Sequence, residues 1–140
     1  MKAAKVKGLK PAKPLKPNAA KIVAVRLGEL RGFAATALQP GATEAQHDMR
    51  IAAKRLRYIL ELTESCFEPA GKPVRHLARE LQGILGDLRD AEAMLANATG
   101  ITSLESLLHT RRELLFARFQ ELWAEDATAA ALAELEDTVA

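Results

Sequence analysis

Apolar residues recur every three or four positions through four stretches of this chain, and nowhere do they alternate one by one. That spacing is the period of a helix with one buried face, and the missing period of two argues against any sheet. In the first stretch Ile22, Val23, Leu27, Leu30, Phe33, Ala34, Ala37 and Leu38 share a face. Asn18 is its expected cap and Pro40-Gly41 its stop. The second runs from Thr43 to about Phe67, with Thr43 and Gln46 as a capping box. Met49, Ala52, Ala53, Leu56, Ile59, Leu60 and Thr63 form its stripe. The third begins near Pro73 and carries Val74, Leu77, Ala78, Leu81, Ile84, Leu85, Leu88 and Leu95. The fourth opens on a capping box, Thr102 to Glu105, and runs to about Glu125. Leu104, Leu107, Leu108, Leu114, Leu115 and Leu122 lie on one side of it.

The expectation is an all-α protein, an antiparallel four-helix bundle over residues 18–126. A flexible Lys/Pro-rich tail, residues 1–17, precedes it. An alanine-rich acidic extension, residues 127–140, follows and either continues the last helix or frays. With 140 residues the chain has the length of one domain. No apolar run reaches the roughly 18 residues of a membrane span. Cys66 is the only cysteine, which excludes an intrachain disulfide and a cysteine-rich zinc site and fits a reducing cytoplasm. One Trp, one Tyr and four Phe are too few for a base-stacking platform.

The net charge of +2 conceals two opposed halves. Residues 1–75 hold 15 Lys/Arg against 6 Asp/Glu, and residues 76–140 hold 5 against 12. A basic front half fits a polyanionic partner. Seven of its lysines fall within the first 21 residues, where three prolines and no acid indicate an extended, mobile arm. No apolar segment follows the lysines as a secretory signal would require. Two readings of the arm stand side by side: an electrostatic arm for a polyanion, and a solubilising tail.

Beside the core stripe of the second helix lies another, of His47, Arg50, Lys54, Arg57, Tyr58 and Glu61. Its cations form a ridge about 15 Å long at 1.5 Å per residue. Like charges at this spacing repel, so internal acids or a bound polyanion must offset them. Glu61 and Glu64 reach only the far end. Arg26, Arg111 and Arg118 fall within apolar faces of other helices, where an arginine needs a partner or a wet cavity. Guanidinium groups grip phosphate oxygens in a two-pronged fork, lysine adds a compact charge, and histidine donates hydrogen bonds. Gly83 and Gly86 stand inside the third helix, each costing up to ~1 kcal/mol relative to alanine. Glycines there let a neighbouring helix or a ligand come close.

The segment Gln46-His-Asp-Met-Arg-Ile-Ala-Ala-Lys-Arg-Leu-Arg-Tyr-Ile-Leu-Glu61 resembles the signature of the CHAD family, the conserved-histidine α-helical domain. A second signature is similar to Leu77-Ala-Arg-Glu-Leu-Gln-Gly-Ile-Leu-Gly-Asp-Leu-Arg-Asp-Ala91. The resemblance covers about residues 20–125. It implies a helical fold that binds inorganic polyphosphate in a basic central cavity, in proteins often associated with polyphosphate granules. It also implies phosphate contact by His47, Arg50, Lys54 and Arg57, with Arg55 assisting. Full members carry two such repeats as a pseudo-twofold double bundle. This chain carries one, with wording closest to the second. Arg26, Arg111 and Arg118 complete the candidate phosphate-binding set.

The expected function is therefore non-enzymatic polyphosphate binding in the cytoplasm, on granules. No catalytic residue, cofactor or metal site is expected. A histidine phosphotransfer bundle using His47 is the alternative, although Arg50-Ile51 stands where that class carries lysine and then glycine. Nucleic-acid binding through the lysine tail is another. His76 and His109 read as surface residues, Cys66 as packing, and Asp87 and Asp90 as partners for nearby arginines. Ile51, Tyr58, Leu62, Phe116 and Trp123 lie off the leucine stripes and predict a homodimer that covers them.

Overall fold

The computed structural model describes residues 2–140. Among them are five α-helices and no strand: α1 (Leu15–Ala37), α2 (Thr43–Leu62), α3 (Gly71–Asn97), α4 (Thr102–Ala124) and α5 (Asp126–Val139). A short 3-10 turn, Glu64–Cys66, follows α2. Five helices, not four, build the bundle. α1 packs on α2, α2 on α3 and α3 on α4, while α5 touches α1, α3 and α4.

The apolar stripes of the first three helices face inward as their spacing requires. Val23, Leu27, Leu30, Met49, Leu56, Leu60, Val74, Leu81, Leu85 and Leu88 are buried. The helix ends differ from expectation. α1 begins at Leu15, because Pro17 in its first turn withholds an N–H that no helical carbonyl could accept. Asn18 is thus inside the helix and caps nothing. Thr43 is likewise the first helical residue of α2, and Gln46 forms no capping box. Its buried amide donates instead to the Ala37 carbonyl at 3.1 Å, covering the open end of α1. α2 stops at Leu62, short of Phe67. Gly41 (φ 76°) and Gly100 (φ 90°) make the turns before α2 and α4, in the left-handed region glycine enters without strain. At the start of α4, Glu105 accepts from the Gly100 N–H at 2.7 Å, and Ile101 rather than Thr102 occupies the cap.

Residues 127–140 neither continue α4 nor fray. Glu125 is extended, the chain turns, and the Thr128 hydroxyl donates to the Leu122 carbonyl at 2.7 Å. Leu132, Leu135 and Val139 then enter the core. An Arg31–Glu136 ion pair ties α5 to α1.

α4 is turned part-way from the expected orientation: Leu108 and Leu122 of the leucine stripe are buried and Leu115 packs on the core, but the buried face extends to the aromatic residues. Phe119 is fully buried, Phe116 and Trp123 pack against the core, and Phe116 meets Phe119 with ring centroids 6.3 Å apart. Leu107 and Leu114, 65% and 68% exposed, face solvent on the opposite side. Phe116 and Trp123 are therefore not an uncovered patch. What stays uncovered is the Leu104, Leu107 and Leu114 part of the stripe, together with Tyr58 and Leu62 of α2, which are exposed as expected.

The N-terminal arm also departs from expectation. Residues 4–10 lie along α1 in the opposite direction. Ala4 N–H donates to Glu29 at 3.1 Å, Lys21 donates to the Gly8 carbonyl at 2.5 Å, and Asn18 brackets both backbone groups of Lys10. Met1 of the arm lies outside the described residues.

Candidate functional site

α2 carries every residue of the cationic ridge, and α3 supplies the wall beside it. Three contacts set the antiparallel register of the two helices. Glu61 accepts from Arg79 at 3.3 Å, Arg57 Nε donates to Gln82 at 2.9 Å, and Arg50 lies over Gly86. A Cβ on Gly86 would sit 3.2 Å from Arg50 Nε, closer than it could comfortably rest. The sequence signal at Gly86 was thus a close approach, made by an arginine of the ridge. Gly83 differs, since a Cβ there meets nothing within 4 Å.

Electrostatically the ridge has two ends. At the far end Arg57 pairs with Glu61 at 2.9 Å and packs on the Tyr58 ring, 4.8 Å from its centroid. Glu64 does not reach the ridge and pairs with Arg75 of α3. At the near end Arg50 and Lys54 make no ion pair among the described residues. Lys54 is exposed, with its ammonium 5.6 Å from the centre of the Tyr58 ring. Arg50 Nε and His47 Nδ1 are buried with no hydrogen-bond partner. An unpaired buried polar atom costs about 1–3 kcal/mol, which an arriving partner would relieve. The two atoms belong to residues one helical turn apart on α2.

The other candidate arginines sit elsewhere. Arg26 and Arg55 belong to the α1 side of α2. Arg26 pairs with Glu29 at 2.5 Å and donates to the Ala4 carbonyl at 3.1 Å. Arg55 lies 3.7 Å from the other oxygen of Glu29. The Glu29 side chain, 9% exposed, is thus shared by two arginines and the N-terminal arm. Arg26 is not an unexplained cation in an apolar face: its partner stands three residues on, a spacing visible in the sequence. Arg111 and Arg118 are exposed and line a separate groove of about 440 Å³ on α4 with Leu107, Leu114 and Leu115. The expected common cavity of Arg26, Arg111, Arg118 and the His47 ridge does not form.

Sequence reasoning missed Gln82 and Glu29. Gln82 shares a helical face with Arg79 and Gly86, at spacings of three and four, and that periodicity could have drawn it into the site. Beyond the ridge, a cavity of about 440 Å³ opens beside Gln46, Glu92, Arg112, Glu113 and Phe116. Burial pushes the Glu92 carboxyl above its ordinary value, against the pull of Arg112 and Arg89. His76 and His109 are exposed, and no three His, Cys, Asp or Glu residues gather as a metal site among the described residues. No helix among them is long and apolar enough to cross a membrane.

A family model described as the CHAD domain matches residues 2–99. No curated protein and no solved structure matches the chain. The matched span contains the arm, both sides of the ridge and the glycine-bearing wall, and stops before α4.

Proposed function

The chain belongs to the CHAD domain family, and from that premise we propose that it binds inorganic polyphosphate along the α2–α3 ridge, without catalysing a reaction. That family is associated with polyphosphate-related proteins. The observation that carries the reading is the near end of the ridge. His47, Arg50 and Lys54 stand within two turns of one helix, without acid partners, and two of them hold buried unpaired nitrogens. A chain of phosphates supplies repeated oxyanions to such a row, and Arg57 extends it once Glu61 is displaced. Arg55 and Arg26 flank the row as a reserve of charge held at Glu29. Cytoplasmic granules of polyphosphate are the setting in which such a module would act.

A homodimer belongs to the same reading, through a different surface from the one the sequence indicated. The exposed stripe of α4 runs Leu107, Arg111, Leu114, Arg118, Glu121. Laid antiparallel on a second copy about Leu114 to Arg118, Arg111 falls opposite the partner's Glu121. In the same register each Leu114 faces the apolar stem of the second copy's Arg118, so opposite charges meet while the leucine is covered.

Calorimetric titration of the whole chain with long-chain polyphosphate tests the binding, with duplex DNA and inorganic phosphate as competitors. Binding that DNA fails to displace supports the reading. An absence of heat and of mobility change at low salt overturns it, and preferential displacement by DNA transfers the site to nucleic acid. Light scattering tests the dimer, and a mass of one chain with and without polyphosphate rejects it.

A further inference from the structure

We infer that Gly86 is a positioning residue for the anion site: its missing side chain is the seat in which the Arg50 guanidinium is held. The inference rests on the polyphosphate reading and adds a residue to it. α3 would be a better helix with alanine at this position, since glycine loses more backbone entropy on folding. Something at Gly86 must outweigh that preference. The three atoms nearest to a Cβ built there are Nε, Cζ and Nη2 of Arg50, at 3.2, 3.8 and 3.8 Å. Outside the backbone of α3 itself, no other residue comes as close. The space that glycine leaves is therefore taken up first by one charged group from the facing helix.

The consequence for binding is geometric. Arg50 lies flat on α3 with its Nε covered and unpaired. Its planar fork is thereby fixed beside His47, one turn away on the same ridge. A guanidinium held in one orientation loses less freedom when it grips a phosphate than one swinging in water. A methyl at position 86 would push the fork outward by a few tenths of an ångström and release it. Gly83 supplies the matched control. It stands in the same helix, three residues away, and a Cβ there touches nothing within 4 Å. Alanine gives both positions the same gain in helix propensity, but only at Gly86 does it meet the arginine.

The test is a graded set of variants titrated with long-chain polyphosphate: Gly83→Ala, Gly86→Ala, Gly86→Leu, Arg50→Ala and the double variant Gly86→Ala/Arg50→Ala. Gly83→Ala should bind as the parent does. Gly86→Ala should bind about three- to tenfold more weakly while melting no lower than the parent. Gly86→Leu should approach the loss seen for Arg50→Ala. In the Arg50→Ala background Gly86→Ala should do nothing more, because its effect passes through that arginine. Parental affinity in Gly86→Ala, or an equal loss in both backgrounds, overturns the inference and leaves the polyphosphate reading intact if Arg50→Ala is weakened. A fall in melting temperature like that of a core truncation also overturns it, since the methyl would then strike the helix pair. An Arg50→Ala variant that binds like the parent removes the polyphosphate reading at this site instead.

Discussion

The two flanks of α2 carry the same kind of residue and treat it in opposite ways. On the flank that meets α1, Arg55 and the neighbouring Arg26 share one carboxylate, Glu29, and the backbone of Ala4 closes over the cluster. On the flank that meets α3, the near-end cations Arg50 and Lys54 have no acid within ion-pair distance among the described residues. His47 beside them is likewise without a partner for its buried Nδ1. A basic helix is thus not a uniform strip. Where a glutamate is built in, the charge serves the fold, and where none is, the charge is available to something that binds. The comparison also separates two consequences of losing an arginine: stability on the α1 flank, affinity on the α3 flank.

The largest expected effect is on salt dependence. If the α3 flank takes up several phosphates, raising salt from ~50 to ~200 mM should weaken polyphosphate binding by tens-fold or more, as counterion release does for nucleic acids. Titrations at stepped ionic strength measure the slope, and a flat response would break the comparison at its root.

Next in size are single truncations. Arg50→Ala or Lys54→Ala should lower affinity by roughly tenfold, the worth of one charge-assisted hydrogen bond. The melting temperature should stay near the parent's, while Leu56→Ala, with its side chain fully buried, loses about 2–5 kcal/mol. Arg26→Ala should behave in reverse, melting lower because the part-buried Glu29 loses the nearer of its two arginines, and binding within about twofold of the parent. Equal loss of affinity from Arg26→Ala and Arg50→Ala would erase the difference between the flanks. Glu29→Gln should then sharpen it. It removes the carboxylate charge that Arg26 and Arg55 share, so affinity should rise a few-fold while stability falls.

Much of this contrast could be read before any coordinates. The ridge follows from residues three and four apart, and the mid-helix glycine announced a close approach. The Arg26–Glu29 pairing is legible too, at i and i+3. α4 could not be oriented in this way. Its leucines spread over a broad arc, with Phe116, Phe119 and Trp123 at one edge, and more than one rotation satisfies the helical period. The helix settles with Leu108, Leu115 and Leu122 shared between the expected and observed faces and the large aromatic residues inward, since these bury more area per residue. That depends on what packs there, and α5 was itself hidden in an alanine-rich stretch with a weak stripe. The course of the N-terminal arm was equally out of reach, because backbone N–H and C=O groups hold it, and these have no periodicity.

A smaller effect concerns His47. Its ring can hydrogen-bond an oxyanion beside Arg50. His47→Gln should weaken polyphosphate binding a few-fold while the melting temperature stays near the parent's. Calorimetric titration and melting curves of parent and variant give the comparison, and parental affinity in the variant would remove this histidine from the site.

The smallest effect tests whether charge anywhere on the molecule acts as charge on the ridge does. Glu92 is half-buried beside Arg112 and Glu113, and burial holds its carboxyl above the ordinary value of 4.5. A raised carboxylate pKa means that the folded state favours the neutral form. The group's contribution to stability is then fullest below 4.5 and is lost as pH rises through the folded value, leaving a penalty at neutral pH. Glu92→Gln removes that penalty without changing the side chain's size. The variant should melt slightly above the parent at neutral pH, by a margin that solvent screening keeps small. Its advantage should vanish in acid, where the parent's Glu92 is also neutral. Removing this negative charge should leave polyphosphate affinity within about twofold at ~0.15 M salt, because Glu92 makes no ion pair with a ridge cation and salt screens its field. Melting curves across pH and one titration decide both halves. A rise in affinity as large as that from Glu29→Gln would mean that net charge, and not the unpaired cations of one flank, governs the binding.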